Sequence, residues 1–171
     1  MVRSRSEAFS DWLEVISQEP ELGFDPALLS QGARAWYEEI FDEHGEVPPA
    51  YLLRLLFERR LSLARFSLDL LRTVAERDLG KKLQLEVQAS EDSDIEPSGE
   101  VEVYGEQIRA LDLQEALTAT ASGIQAFAAD TQWVVWPTCT EHRCGLHPTL
   151  VVGRAVWHCT VGSHDQPMHD S

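Results

Sequence analysis

The sequence predicts an α+β protein, with an N-terminal helical part built on a long central helix, a β-hairpin followed by another helix, and a small C-terminal β module. Three observations carry this. Between Pro49 and Leu79 the apolar residues Leu52, Leu53, Leu56, Phe57, Leu63, Leu70, Leu71 and Val74 cover more than one helical stripe, as in a helix buried on two sides. Two later stretches alternate apolar and polar residues with the period of two that marks half-buried strands. Finally, all three cysteines and five of the six histidines lie beyond Trp136. The organisation expected is a helical part over 1–80, a hairpin plus helix over 81–131 packed on it, and a metal-stapled module over 132–171.

Taken in order, Ser10-Asp11 before Trp12, Leu13, Val15 and Ile16 predicts a capped short helix ended by Pro20. Asp25-Pro26 supplies an N-cap and a tolerated first position for a second helix, whose Leu29, Ala33, Trp36, Tyr37 and Ile40 fall at three-and-four spacing before His44-Gly45. The long helix follows, closed by Gly80, with Lys81 and Lys82 suited to its negative end. Leu83, Leu85 and Val87 then predict a strand. Val101 and Val103 predict its partner across an acidic loop from Ser90 to Gly99. Leu117, Ala121, Ile124 and Phe127 mark a helix from about Leu113 to Ala129, weakened by Gly123 at about 1 kcal/mol relative to alanine. Trp133 to Trp136 reads as a short strand stopped by Pro137. Leu150–Val152 and Ala155–Trp157 flank Gly153-Arg154, for which a two-residue type II′ turn with Gly153 in first position is expected.

The C-terminal chemistry rests on spacing. Cys139-x2-His142 and Cys159-x4-His164 are separated by sixteen residues, and each short turn brings a thiolate and an imidazole toward one point. Two such turns joined by a hairpin supply the four ligands of a tetrahedral structural Zn²⁺ site with zinc-ribbon-like topology. His147, in its turn-like Leu146-His147-Pro148 setting, is the main rival for either histidine position, and Cys144 is a second substitute. His158 adjoins Cys159 on a strand and is expected to face the other way. His169 is assigned to the tail.

Charge narrows the function classes. The formal net charge is −15, opposite to what general nucleic-acid binding demands. From Glu86 to Glu106 there are eight acidic residues and no basic one, whereas Arg54 to Lys82 carries eight basic against four acidic. Mutual neutralisation of solvated faces is the simplest reading, and recruitment of a basic partner the sharper one. The opening residues lack an apolar run and no stretch is long enough to span a bilayer. With an odd number of cysteines beside histidines, this fits a reducing, cytoplasmic setting in which thiolates are available to metal.

The runs Trp136-Pro137-Thr138-Cys139-Thr140-Glu141-His142, Gly145-Leu146-His147-Pro148 and Gly153-Arg154-Ala155-Val156-Trp157-His158-Cys159 resemble a motif of small, uncharacterised acidic proteins of high-GC Gram-positive bacteria. The resemblance spans roughly the final fifth of the chain and departs at Thr140, at Thr160 and in the short Gln166–Ser171 end. It implies a metal-binding module and no particular reaction.

The expected role is a non-enzymatic interaction protein, an adaptor or regulator, whose zinc module shapes a surface read by another protein. Trp133, Trp136 and Trp157 are expected to cover the metal, with one exposed tryptophan as an alternative anchor for a partner. The alternative is a zinc-dependent hydrolase with an open metal position and Glu141 as general base. His44-x-Glu46 upstream of Pro137 and Cys139 is a poor match to a deaminase pattern, since His142 stands where a second cysteine belongs. His44 fits better as a helix-end residue beside a negative dipole.

Overall fold

A computed structural model describes residues 3–91 and 97–168. Asp92, Asp94 and Glu96 of the acidic run, and His169, lie outside the described residues. Among those described, four α-helices and two antiparallel three-stranded sheets make an α+β architecture, and no helix is long and apolar enough to cross a membrane.

Helix α1 spans Arg5–Ser17 and starts earlier than Ser10-Asp11 suggests. Ser4 and Glu7 form a reciprocal capping box: the Glu7 N–H donates to Ser4 Oγ at 3.3 Å, and the Ser4 N–H to Glu7 Oε2 at 2.9 Å. The second helix is also displaced. Asp25 caps only a short 3-10 turn over Pro26–Leu28, the chain becomes extended at Leu29, and Ser30 caps α2 over Gln31–His44. Helix α3 runs from Pro49 to Leu79 with both ends where the sequence places them, and Gly80 takes a left-handed φ of 67° at its C-terminus.

Its wide apolar arc is explained by two cores. Leu52 and Leu56 join Phe9, Trp12, Leu13, Ile16, Trp36, Tyr37 and Ile40 of the first two helices. Further along, Leu63, Ala64, Leu68, Leu71 and Ala75 enter a second cluster with the strands, the last helix and the C-terminal sheet. Helix α3 is therefore the strut shared by both.

The first sheet comprises β1 (Val87–Ser90), β2 (Glu100–Val103) and β3 (Glu106–Gln107), in that order. Val87 pairs with Val103, and Ala89 with Val101. The expected strand at Leu83 and Leu85 starts only at Val87, because α3 side chains occupy the preceding backbone: Glu76 Oε1 accepts the Leu83 N–H at 2.9 Å, and Arg72 donates to the Leu85 carbonyl at 3.3 Å. Strand β3, unmarked by any periodicity, follows a two-residue turn in which Tyr104 and Gly105 have φ of 51° and 79°.

Helix α4 spans Leu113–Gln132, with Asp112 accepting the Gln114 and Glu115 N–H groups at 2.9 and 3.0 Å. Its end overturns the strand expected over Trp133–Trp136. The Trp133 N–H bonds to Ala129 at 3.2 Å and the Val134 N–H to Ala128 at 3.3 Å, so the helix termination captures Trp133 at φ 57°. Its side chain is 90% exposed and does not join a ladder.

The second sheet contains β4 (His147–Val151), β5 (Arg154–Cys159) and β6 (His164–Pro167). Val151 pairs with Arg154, so the central turn residues are Val152 and Gly153, one position earlier than expected. Both have positive φ, 49° and 72°, the type I′ signature in place of the expected type II′. Ala155, Trp157 and Cys159 face the second core.

Candidate metal centre

Two turns present the predicted donors. In the first, the chain from Pro137 to Leu146 folds back on itself: the Cys139 N–H donates to Cys144 O at 2.8 Å, the Arg143 N–H to Cys139 O at 2.8 Å, and the Leu146 N–H to Pro137 O at 2.9 Å. Cys139 and His142 are thereby carried on one tight loop. The second turn joins β5 to β6, where Cys159 pairs with His164 across the ladder.

The turns are alike at the level of the sulfur atoms. The backbone N–H of His142 points at Cys139 Sγ at 3.4 Å, and that of Gly162 at Cys159 Sγ at 3.4 Å, in each case three residues after the cysteine. Donors aimed at a sulfur favour its thiolate form. The Gly162 N–H accordingly draws the Cys159 thiol below its ordinary pKa, against the opposing effect of burial.

One donor atom from each of Cys139, His142, Cys159 and His164 lies within 4.8 Å of every other, and these four residues form the only such group found among the described residues. His142 Nδ1 is 3.5 Å from both Cys139 Sγ and Cys159 Sγ, and His164 Nε2 is 3.4 Å from Cys139 Sγ. A tetrahedral cation with bonds of about 2.0–2.3 Å separates its ligands by roughly 3.3–3.8 Å. The four residues are thus close enough to hold a metal ion. Both cysteines are buried, His164 is half-buried and His142 is exposed, so the sulfurs sit on the core side and the imidazoles on the solvent side.

The remaining histidines and the third thiol fall elsewhere. His147 is paired with His158 across β4 and β5, and both occupy the face opposite Cys159. His158 Nδ1 lies 2.7 Å from Asp165 Oδ1. His44 ends α2 beside Glu43, at 3.8 Å, outside the group. Cys144 is half-buried and outside the four-residue group, yet its Sγ is 3.6 Å from Cys159 Sγ. Burial, with contact to Cys159, raises its thiol pKa. Glu141, 71% exposed, approaches Nδ1 of His164 at 4.0 Å, on the side of the ring away from the Nε2 that faces Cys139.

Supporting residues without any obvious sequence signal fix the module to α4. Gln125 Nε2 donates to the carbonyls of Trp136 at 3.0 Å and Leu146 at 2.6 Å, and Gln114 Oε1 accepts the Ala155 N–H at 2.8 Å. Eleven residues separate the two glutamines, about three helical turns, which places them on one side of the helix. Beneath the module, Trp136 and Trp157 pack edge-to-face at 5.3 Å, both buried. Trp133 does not take part in this cover.

No protein-family model, curated protein or solved structure matches the chain.

Proposed function

We propose that Cys139, His142, Cys159 and His164 hold a structural Zn²⁺ ion in a zinc-ribbon-like module, and that the protein acts as a non-enzymatic adaptor or regulator by presenting this part of its surface to another protein. The observation that carries the reading is the spacing of 3.4–3.5 Å between sulfur and imidazole nitrogen, repeated around the donor set. Two thiolates with two imidazoles suit zinc, whereas hard oxygen-seeking cations would be poorly served. Four protein donors already complete a tetrahedral shell, and a catalytic ion would keep a position open for water. Glu141 lies 4.0 Å from Nδ1 of His164, on the side of the ring away from the nitrogen that faces the donor set, which suits it poorly to act as general base on a metal-bound water.

For the partner, Trp133 supplies a rigid aromatic group at 90% exposure, the residue type that most often anchors protein interfaces. The net charge of −15 opposes general nucleic-acid binding, and a reducing cytoplasmic setting would keep the thiols available. The test is metal analysis of the purified full chain, followed by thermal melting with and without a strong chelator. One zinc per chain and a large drop in melting temperature on chelation are expected, because binding energy at a structural site is folding energy. Metal-free protein of equal stability would end the reading.

A further inference from the structure

Cys144 lies outside the group of four donors, yet its Sγ is 3.6 Å from Cys159 Sγ. This third thiol is held in place. Cys144 sits opposite Cys139 in the first turn, its carbonyl accepting the Cys139 N–H at 2.8 Å, and neighbouring Thr138 and Gly145 form a bridge. Its access to solvent also differs from that of its neighbours, since Cys139 and Cys159 are buried and Cys144 is only half-buried. A half-buried sulfur in contact with a second, buried sulfur has the partner that a sulfenic acid needs to condense to a disulfide.

We infer that Cys144 and Cys159 form a redox couple whose closure to a disulfide releases the metal. The inference rests on the metal-centre reading above. The oxidant is a hydroperoxide. The Cys144 sulfur attacks the O–O bond, so that an S–O bond forms, the O–O and S–H bonds break, and the distal oxygen leaves with that proton as water or alcohol. Cys144 is then a sulfenic acid. The thiolate of Cys159 attacks that sulfur, the S–S bond forms, and the S–O bond breaks with loss of hydroxide, which takes up a proton as water. Two electrons have passed from the two sulfurs to the peroxide. Cys159, now neutral and divalent, no longer serves as a thiolate ligand, which leaves Cys139, His142 and His164 to hold the ion. A dithiol reductant reverses the step by thiol–disulfide exchange.

The experiment uses the full chain loaded with one equivalent of Zn²⁺ and treated with hydrogen peroxide, with released zinc followed by a chromogenic chelator and disulfides mapped by mass spectrometry. Wild type is expected to release zinc as an intrachain Cys144–Cys159 disulfide forms, and to rebind it after reduction. Cys144→Ser and Cys144→Ala are expected to bind zinc as wild type does and to release it at least tenfold more slowly. Two serviceable variants guard against one failing to fold. Equal release rates in wild type and both variants, or a disulfide mapped to Cys139, would overturn the couple while leaving the metal centre standing. Loss of zinc binding in both variants would also overturn it, by making Cys144 a ligand. Wild type that takes up no zinc at all removes the metal-centre reading, and the release step with it.

Discussion

Gly162 lies against the ring of His142 so closely that a Cβ at position 162 would stand 2.2 Å from His142 Cε1; it would also come within 2.7 Å of His164 Nδ1. The residue that donates its N–H to Cys159 Sγ is therefore also the one whose missing side chain lets the two imidazoles approach, with ring centroids 5.3 Å apart. Gly162→Ala should push the rings apart while leaving both sulfurs in place. Zinc affinity is expected to fall by about 10–100-fold, the usual cost of disturbing the groups that orient metal ligands. Competition against a chelator of known affinity checks this, and wild-type affinity in the variant would show that the imidazoles are not confined by position 162.

Much of this centre is visible in the sequence, because short Cys-to-His spacings are a local property. The four donors predicted from Cys139-x2-His142 and Cys159-x4-His164 are the four that converge. Long-range packing hides the rest. Gly123 illustrates this: in sequence it only weakens a helix, but in the fold a Cβ there would lie 2.2 Å from the carbonyl oxygen of Val103, so glycine is what lets α4 approach the first sheet. The helix starts differ from those expected for a related reason. Ser10-Asp11 and Asp25 carry the right side chains for caps, but Ser4 and Ser30 make the cap hydrogen bonds to the α-helices. Trp133 to Trp136 has strand-forming composition, and the hydrogen bonds closing α4 claim its first residues instead.

Glu76 links the end of α3 to the chain beyond it, accepting from Lys82 Nζ at 2.7 Å and from the Leu83 N–H at 2.9 Å. The Lys82 hydrogen bond, then that of Leu83, lowers the Glu76 pKa from its ordinary value. A carboxyl with a depressed folded pKa contributes stability above its unfolded pKa and loses that contribution as pH falls through the folded one. Wild type should thus be more stable than Glu76→Gln at neutral pH, with a difference that is constant above about pH 5 and shrinks below it, toward and past the ordinary glutamate value of about 4.3. Urea denaturation of both proteins across this range measures the difference directly, and acid effects on the Cys/His group, common to both, cancel. A gap that stayed constant to pH 3 would show that the Glu76 contacts do not depend on its charge.

Gln125 supplies both hydrogen bonds that hold the Trp136 and Leu146 carbonyls against α4. Gln125→Met keeps an unbranched side chain of similar length and good helix propensity, but removes the donor. The loss expected is about 1–3 kcal/mol, the cost of leaving a partly buried acceptor without a partner. Denaturant midpoints of the zinc-loaded proteins at constant slope report it. Gln125→Glu should do no better, since a carboxylate offers only acceptors to two carbonyls. Unchanged midpoints in both variants would mean that the module is held to α4 by apolar packing alone.

Val152 occupies the left-handed region at φ 49° beside Gly153 at φ 72°, and its side chain is 98% exposed. A β-branched residue is poorly suited to this backbone, and no burial offsets the cost. Asparagine tolerates the conformation and, followed by glycine, is the preferred pair for a type I′ turn. Val152→Asn should therefore stabilise the protein by about 1 kcal/mol, equivalent to a rise of roughly 2–4 °C in melting temperature for a chain of this size. Gly153→Val should act in the opposite direction, by placing two β-branched residues in left-handed geometry. Calorimetry on the zinc-loaded proteins distinguishes the cases. If Val152→Asn instead lowers the melting temperature, the exposed valine makes a stabilising contact that outweighs its backbone strain, and the β4–β5 turn owes its shape to more than its two central residues.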